Sequence, residues 1–558
     1  MRLHLILGLL TALLLIVTLR GREQHRFTFE QVQALAEQRA GKPYVPLSTD
    51  LPPQLKNLTV QQEDGIFWDD KYRIWRNKGL PFQIDFFHVN KLFPSGIPIN
   101  LVDRKGAHPL AYAPAFFHFS GLTFNPPLPN SLGFSGFYLR YPINKPDSLD
   151  GFFAAQGADY FRVIAAGQAY GVTARGIAIN TILEKKQEEF PNFVEWWLHE
   201  PAQNASEMTL DALLDGPSVT GAYEFTLHPG SSTTVDIHAV LYFRQAVDRL
   251  GIAPLTSMYL FGENAKLHFG DNFHPEVHDS DGVLINKSNG EWLWRPLGQA
   301  SFDSGRMLQI YDTPDENPKG YGLLQRDRDF QHYQDPNDKY NLRPSAWVTP
   351  HGNWGKGNIQ LSQLPSDNSD TDNVVLFWRP DQEIKAGTKM DISYTINYYM
   401  NDANLPPLGY ASATYILCPP PSPPPPPPPT PIPPGKNGAA SKAPPKPPVT
   451  AFVGPPAPTA PAPPKRDTIP VRFVIDFKGD GLENIPPTQP PHLDLSFVPK
   501  HPDTYLIDSS VEKIGDNNAW RVTFTFLPFK HFTPTQILCH LSRDDKPLTE
   551  TWSYTWHQ

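Results

Sequence analysis

Cysteine and charge are both scarce in this sequence. Only two of the 558 residues are cysteine, Cys418 and Cys539, so cysteine cannot supply a structural zinc site. The two thiols pair in an oxidising compartment or remain free, and the sequence leaves both alternatives open. Charged residues make up 19% and apolar residues 40% of the chain, which is the composition of a folded body and not of a disordered chain.

Runs of basic residues are absent as well. The formal net charge is -9, and no stretch of lysine and arginine could follow a phosphate backbone, so nucleic acid is excluded as the main partner. The sequence also lacks a G-x-S-x-G elbow, a Walker loop and a G-x-G-x-x-G turn. Acyl-transfer and nucleotide chemistry therefore have no support, and neither a cofactor nor a metal is expected.

Long apolar runs are limited to one, Leu3–Leu19, which is flanked by arginines. This pattern predicts an export signal over residues 1–24. The run is long for a signal core and short for a spanning helix, so an uncleaved inner-membrane tether formed by residues 3–19 is the alternative. Both interpretations put the rest of the chain outside the cytoplasm.

Proline, in contrast, is abundant, with 63 residues. About half of residues 419–464 are proline, including an unbroken run over residues 423–429. Such a stretch cannot form a helix or a central strand, because proline lacks the N–H group and fixes φ. At about 3.1 Å per residue it could extend over about 140 Å, so we interpret it as a spacer in preference to a ligand of proline-binding modules. The chain then divides into a signal or anchor (1–24), a large body (25–415), a proline-rich linker (416–467) and a C-terminal domain (468–558).

Alternating apolar residues predict strands through most of the remaining chain. One helix is expected near the start, where Thr28 and Gln31 fit a capping box. Apolar residues recur at every second position of residues 232–244, which is the period of a half-buried strand. The same pattern marks residues 80–87, 223–227, 374–378, 392–399, 473–477 and 520–526. Short strands divided by turn residues predict a β-sandwich body, and the last segment of about ninety residues has the size of an immunoglobulin-like module.

Two acidic clusters are the candidate reactive groups. The first occupies residues 274–282 and offers histidines and carboxylates together. Val283 breaks the pattern of a calcium loop, and Pro275 opposes a helix that would pair the two histidines on zinc. A hydrogen-bonded turn and an acid site remain as interpretations. The second cluster, residues 367–373, precedes a predicted strand, where loop carboxylates are either solvated turn residues or a mounted catalytic acid.

Aromatic, amide and charged side chains lie between the two clusters. Rings that stack on sugars and forked polar groups that bind hydroxyls would form a sugar groove, and a sandwich core with buried ion pairs is the alternative. Two carboxylates across such a groove can cleave a glycosidic bond, one as acid and one as base. The candidate substrate-binding residues are Trp292, Trp294, Tyr321, Gln325, Arg326, Asp327, Tyr333, Trp347 and Trp354.

Nine runs of the sequence carry a resemblance to a known family. They are residues 152–162, 167–171, 174–176, 217–223, 251–258, 261–264, 275–282, 322–330 and 343–345. These runs resemble the periplasmic glucan biosynthesis protein G and D family (MdoG/OpgG and OpgD), and so many matches in the same order make the resemblance specific. It extends from about Phe27 to the C-terminus and is interrupted by the proline-rich linker.

This resemblance implies an all-β fold, a large galactose-mutarotase-like β-sandwich joined to a C-terminal immunoglobulin-like β-sandwich. It implies a periplasmic location and a role in making osmoregulated glucans with a β-1,2-linked glucose backbone. Members of the D branch act as inverting β-1,2-glucanases. By this resemblance Asp372 is the expected general acid, and the base is Asp279 or Asp281, with Asp281 preferred.

Two departures from the family pattern bear on function. Family members usually carry a glutamate three residues before the acid, where this chain has Ser369 with Asp370 beside it. The chain also lacks the twin arginine often found in the D branch, which favours the G branch. The expected function is inverting hydrolysis of β-1,2-glucan, and the alternative is a non-catalytic glucan-binding partner of the inner-membrane glucan synthase. The long linker further predicts loose packing between the two domains.

Overall fold

The computed structural model describes residues 27–183, 186–265, 273–298, 308–401, 406–417, 470–479, 481–498, 505–515, 519–527 and 535–556. The apolar run Leu3–Leu19, Cys418 and the rest of the proline-rich linker up to residue 467 lie outside these residues. Ile416 and Leu417, which were predicted to begin the linker, instead belong to a β-strand. Within them, no helix is long and apolar enough to cross a membrane. Cys539 is buried and has no disulfide partner among the described residues.

Four short α-helices lie in the N-terminal two thirds of the described chain. They are α1 (Phe29–Ala40), α2 (Pro53–Lys56), α3 (Val60–Asp64) and α4 (Phe330–Tyr333). The expected capping box opens α1, since the Gln31 side chain accepts a hydrogen bond from Thr28 N over 3.3 Å.

Strands make up half of the structure, 50%. The first half of the chain contains β1 (Phe67–Trp68), β2 (Gln83–Phe87), β3 (Ile99–Asp103), β4 (Gly106–Pro109), β5 (Phe117–His118), β6 (Gly136–Lys145), β7 (Ser148–Gln156), β8 (Tyr160–Val163), β9 (Thr173–Arg175), β10 (Ile177–Ile179), β11 (Asn192–His199), β12 (Met208–Asp215), β13 (Val219–His228), β14 (Thr233–Phe243), β15 (Leu250–Ser257) and β16 (Tyr259–Phe261). The second half contains β17 (Val277–His278), β18 (Gly282–Asn286), β19 (Trp292–Pro296), β20 (Gln309–Glu316), β21 (Gly320–Leu324), β22 (Ser345–His351), β23 (Lys356–Gln363), β24 (Val374–Pro380), β25 (Lys389–Tyr399), β26 (Tyr410–Leu417), β27 (Val471–Lys478), β28 (His492–Val498), β29 (Tyr505–Ile514), β30 (Ala519–Leu527), β31 (Thr535–Arg543), β32 (Lys546–Pro547) and β33 (Thr551–Trp556).

Two large sheets form the body. One has ten strands in the order β2-β6-β7-β8-β9-β15-β24-β23-β20, with β10 on β15, and the other has fifteen strands and runs from β28 to β4. Apolar side chains from both sheets share one core, in which Phe137, Phe161, Phe225 and Ile237 are at most 2% exposed. The prediction of an all-β sandwich is therefore confirmed.

The individual strand predictions agree closely with the structure. Residues 232–244, expected from their alternation, correspond to β14, and residues 374–378 and 392–399 lie inside β24 and β25. Side chains of β14 alternate as predicted, because Val235, Ile237 and Ala239 are buried while Asp236 on the opposite face is exposed. The local pattern was sufficient here because one face of each strand meets the core.

The C-terminal module, formed by β26–β33, is joined to the body by a shared sheet. Its strands β28, β31 and β33 continue the fifteen-stranded sheet, and β33 pairs in parallel with β19 through Leu293↔Thr551 and Trp294↔Trp552. Trp294, Leu324 and Trp347 of the body pack in one apolar cluster with the module's own core. The expectation of loose packing does not hold for these residues, because backbone hydrogen bonds and buried rings both cross the junction.

The proline-rich linker begins and ends at neighbouring positions. The strand before it, β26, pairs antiparallel with the strand after it, β27, and Leu417 lies opposite Arg472. Antiparallel partners have Cα atoms about 5 Å apart. The linker therefore connects two adjacent strands of the four-stranded sheet β26-β27-β30-β29 and does not span a distance between separate bodies.

Replacing residues 419–469 with a short Asn-Gly turn is expected to leave the protein folded. Closing a loop about ten times shorter stabilises the chain by roughly 2 kcal/mol, and the pairing of β26 with β27 supplies the register. Thermal unfolding followed by circular dichroism should show one cooperative transition at or above the parental midpoint. Loss of that transition would mean that the linker itself takes part in the fold.

Candidate active site

A row of side chains crosses the outer face of the ten-stranded sheet. Nine strands are in register through successive Cα partners, so these side chains share one face. Their neighbours along each strand, such as Phe137 and Leu255, point into the core. We call this set the outer row, and it consists of Asp85, Tyr138, Ala154, Arg162, Thr173, Thr256, Val375, Ser362 and Ile310.

Asp372 lies over the middle of the outer row, directly before β24. The Thr256 hydroxyl donates a hydrogen bond to Asp372 Oδ2 over 3.1 Å. The next residue, Asn373, is buried, and its side chain donates to the backbone oxygens of Tyr259 (2.9 Å) and Leu364 (2.8 Å). Its backbone N–H also donates to Ser257 O over 3.0 Å. These bonds fix the backbone beside a partly exposed carboxylate, which is the arrangement required of a positioned acid.

Asp279 is a buried carboxylate within electrostatic range of Asp372. Its side chain lies 3.5 Å from Arg343 Nε, and Oδ1 has no hydrogen-bond partner within the described chain. Burial is the main cause that raises the pKa of Asp279 to about 6; Arg343 and Arg162 oppose the rise, and the charge of Asp372 contributes to it. Asp279 therefore exchanges a proton close to neutral pH.

Asp281 holds the neighbouring loop in place. Its Oδ2 accepts hydrogen bonds from the backbone N–H groups of Arg326 (2.7 Å) and Asp327 (2.8 Å). Burial raises the pKa of this carboxyl, against the charge of His278 and these two bonds. Gly282 follows at once, and a Cβ there would lie 2.1 Å from the Trp294 ring, so only glycine fits.

Buried polar side chains next to Asp279 form a hydrogen-bonded network. His278 Nδ1 lies 3.0 Å from Gln325 Oε1, and His278 Nε2 lies 2.9 Å from Glu276 Oε2. Burial disfavours the charged imidazole, but the Glu276 carboxylate prevails and raises the pKa of His278. Gln325 also donates to Tyr333 Oη over 2.9 Å and to Tyr340 O over 3.2 Å. These hydrogen bonds therefore fix the segment that directly precedes Asp279.

One group of side chains in this region could hold a metal ion. Glu276, Asp327 and His332 each present a ligand atom, and these atoms lie within 4.8 Å of one another. In the structure His332 Nδ1 instead lies 2.5 Å from Asp327 Oδ2, and Glu276 binds His278. Each of the three side chains thus already takes part in a hydrogen bond.

The nine candidate substrate-binding residues fall into three groups. Gln325, Asp327 and Tyr333 lie beside the acids, and of these Asp327 is partly exposed. Arg326 binds Glu550 of the C-terminal module. The others are ring side chains packed in or against the apolar cores, namely Trp292, Trp294, Tyr321, Trp347 and Trp354.

Several residues of the site were not anticipated from the sequence. Arg162 and Arg343 are inside runs that carried the family resemblance, but only the three-dimensional structure shows that both charges act on Asp279. Thr256 carries no local signal either, because every residue of β15 is buried and its apolar and polar residues do not alternate. Asn373 and Glu550 carry no local signal, since their partners lie far away in the chain.

Asp279→Asn is expected to stabilise the protein at neutral pH. The folded-state pKa of Asp279, about 6, exceeds the unfolded value of 3.8, so stability present at low pH is lost as the pH rises through 6. The cost of the ionised carboxylate is at most about 3 kcal/mol, and loss of attraction to Arg343 reduces the gain in the variant. Urea unfolding should show the gain at pH 7.5 and its disappearance at pH 4. A pH-independent difference, like that expected for the exposed control Asp367→Asn, would contradict this assignment.

Comparison with protein-family models gives a match over most of the chain. The model described as "Periplasmic glucan biosynthesis protein, MdoG" matches residues 27–418 and 441–556. The matched ranges include the outer row, both acidic clusters and the C-terminal module. The resemblance noted in the sequence and this independent match therefore agree.

Proposed function

Because the chain belongs to the MdoG family of periplasmic glucan biosynthesis proteins, we propose that it hydrolyses the β-1,2-linked backbone of these glucans with inversion. The family is periplasmic and acts in glucan biosynthesis. The single observation that carries the proposal is the pair formed by Asp372 and Asp279, a partly exposed and a buried carboxylate over one sheet face. Two such groups are what hydrolysis of a glycosidic bond requires.

The proposed reaction divides the two roles between these carboxylates. Asp372 donates its proton to the glycosidic oxygen as the bond between that oxygen and C1 breaks. A water molecule attacks C1 from the opposite face and forms the new C–O bond, and its proton passes to Asp279. Asp281 is the weaker candidate for the base, since its Oδ2 is already held by two backbone N–H groups.

The outer row supports glucan binding next to the acids. Arg162 is exposed and Tyr138 is half-buried, so a guanidinium and a ring are available to sugar hydroxyls and C–H faces. Tyr170 lies beside Tyr138, with ring centroids 6.2 Å apart. A glucan chain lying along the outer row would pass Asp372 at the position where its carboxylate is hydrogen-bonded to Thr256.

The raised pKa of Asp279, the proposed base, predicts how kcat/KM depends on pH. Asp279 must be ionised to accept a proton, so kcat/KM should fall as the pH drops below about 6. The fall in kcat/KM on the acidic side should fit the titration of a single group.

A second function is favoured by one residue. Ser369 is exposed at the position where a family glutamate is usual, and its neighbour Asp370 is exposed too. If no carboxylate replaces the glutamate, the protein acts as a glucan-binding partner of the inner-membrane glucan synthase and does not cleave. Such a protein would bind glucan without releasing reducing ends.

The deciding experiment is incubation of residues 25–558 with linear β-1,2-glucan, followed by chromatography of the products and NMR of the newly formed anomer. Shorter glucans that first appear as the α-anomer support inverting hydrolysis. Polymer that is bound but unchanged at high protein concentration supports the binding partner. A β-anomer would show retention and exclude the mechanism proposed here.

A further inference from the structure

Glu550, in the C-terminal module, is fully buried and bound to the body. Its two carboxylate oxygens accept hydrogen bonds from Arg326 Nη1 (2.6 Å) and Nη2 (2.8 Å), and Oε1 also accepts from Ala411 N over 2.9 Å. The side chain of Glu550 has no solvent exposure. A bidentate pair of this kind fixes direction as well as distance, because both groups are planar forks.

Aromatic rings hold the guanidinium of Arg326 from two sides. Its carbon lies 3.6 Å from the ring centroid of Trp294 in the body and 5.3 Å from that of Tyr410 in the module. Gly282 allows Trp294 to approach, since no Cβ stands in its way. We call Arg326, Glu550, Trp294 and Tyr410 the clasp.

The backbone of Arg326 belongs to the acid site. The N–H groups of Arg326 and Asp327 both donate to Asp281 Oδ2, and Asp281 N donates to Leu324 O over 2.9 Å. The side chain of Arg326 thus binds the C-terminal module, while its backbone N–H group binds the loop of residues 279–281. A displacement of Glu550 must therefore break its hydrogen bonds to Arg326, break the hydrogen bonds to Asp281 or move this loop.

We infer that Glu550 is a positioning residue, through which the C-terminal module sets the geometry of the loop that carries Asp279. This inference rests on the proposed hydrolysis and deepens it. Glycosidic cleavage needs the base within a few tenths of an ångström of its place, and small displacements reduce turnover more than binding. The glucan would bind the outer row, which the clasp does not touch.

The test compares Glu550→Gln with a matched control, Asp476→Asn. Asp476 makes the same bidentate contact with Arg521, over 2.7 and 2.9 Å, but within the module and away from the acid loop. Glu550→Gln should lower kcat roughly 10- to 100-fold with KM changed less than about threefold. Asp476→Asn should keep the parental kcat, although both variants unfold at a lower temperature.

Hydrogen–deuterium exchange makes the test independent of catalysis. Peptides covering residues 325–328 should exchange faster in Glu550→Gln and at the parental rate in Asp476→Asn. Equal exchange and equal kcat in the two variants would overturn the inference. If the parental protein has no turnover, the proposed hydrolysis fails, while faster exchange confined to Glu550→Gln still supports the positioning of the loop.

Discussion

Asp372→Asn is expected to abolish the release of shorter glucans while leaving the protein folded and able to bind glucan. The amide keeps the shape of the carboxyl, and its oxygen can still accept the hydrogen bond from Thr256. It has no acidic proton for the leaving oxygen, so the rate should fall by a factor of about 10² to 10⁴, the usual contribution of general acid catalysis. Reducing-end assays with an excess of enzyme, together with a glucan gel shift, measure the two properties separately.

Asp367→Asn is the matched control for this variant. Asp367 is an exposed carboxylate in the same cluster, and its Oδ1 accepts a hydrogen bond from the neighbouring Asn368 side chain over 3.0 Å. The control should retain full activity. Full activity in Asp372→Asn would remove Asp372 from the mechanism, and loss of both activity and binding would indicate a role in holding the sugar.

A chain that ends at Met400 is expected not to form a stable monomer. Removal of the C-terminal module exposes the edge of β19 and uncovers apolar side chains of the body. Their exposure costs of the order of 5–10 kcal/mol, which is comparable to the whole stability of a typical protein. Arg326 would also lose its carboxylate partner. The side chains concerned are Leu284, Trp294, Leu324, Trp347 and Tyr399.

Size-exclusion chromatography and near-ultraviolet circular dichroism of the truncated chain test this expectation. The full chain with residues 419–469 replaced by a short turn is the control, because it also loses a large segment but keeps every strand. We expect aggregation of the first and a folded monomer for the second. A monomeric, cooperatively folding truncated chain would show that the body is autonomous.

Strands were predictable because their signal is local. The alternation in residues 232–244 reports which side chains of β14 meet the core, and no distant information is needed. The sandwich class follows from many such strands separated by turns. The two acidic clusters were also found from composition, although the sequence could not bring them together.

Pairings between distant segments were beyond reach of the sequence. Nothing in residues 410–417 indicates that they pair across the proline-rich linker, and nothing in residues 292–296 indicates β33 as a neighbour. Residue type alone is equally ambiguous, because a tryptophan that stacks on sugar and one that fills a core look the same. Trp294 and Trp347, proposed as sugar contacts, pack in the apolar cluster at the module junction.

The parallel pairing of β19 with β33 has a consequence for how the chain reaches its native state. Residues 293 and 551 lie far apart in the chain, so the fifteen-stranded sheet cannot be completed until β33 is available to pair. Contacts so remote in sequence slow folding and prolong the life of intermediates with open edges. Chaperones and proteases would bind these intermediates before β33 has docked. Mutations that delay the docking of β33 should thus reduce cellular yield while the molecules that do mature remain fully active.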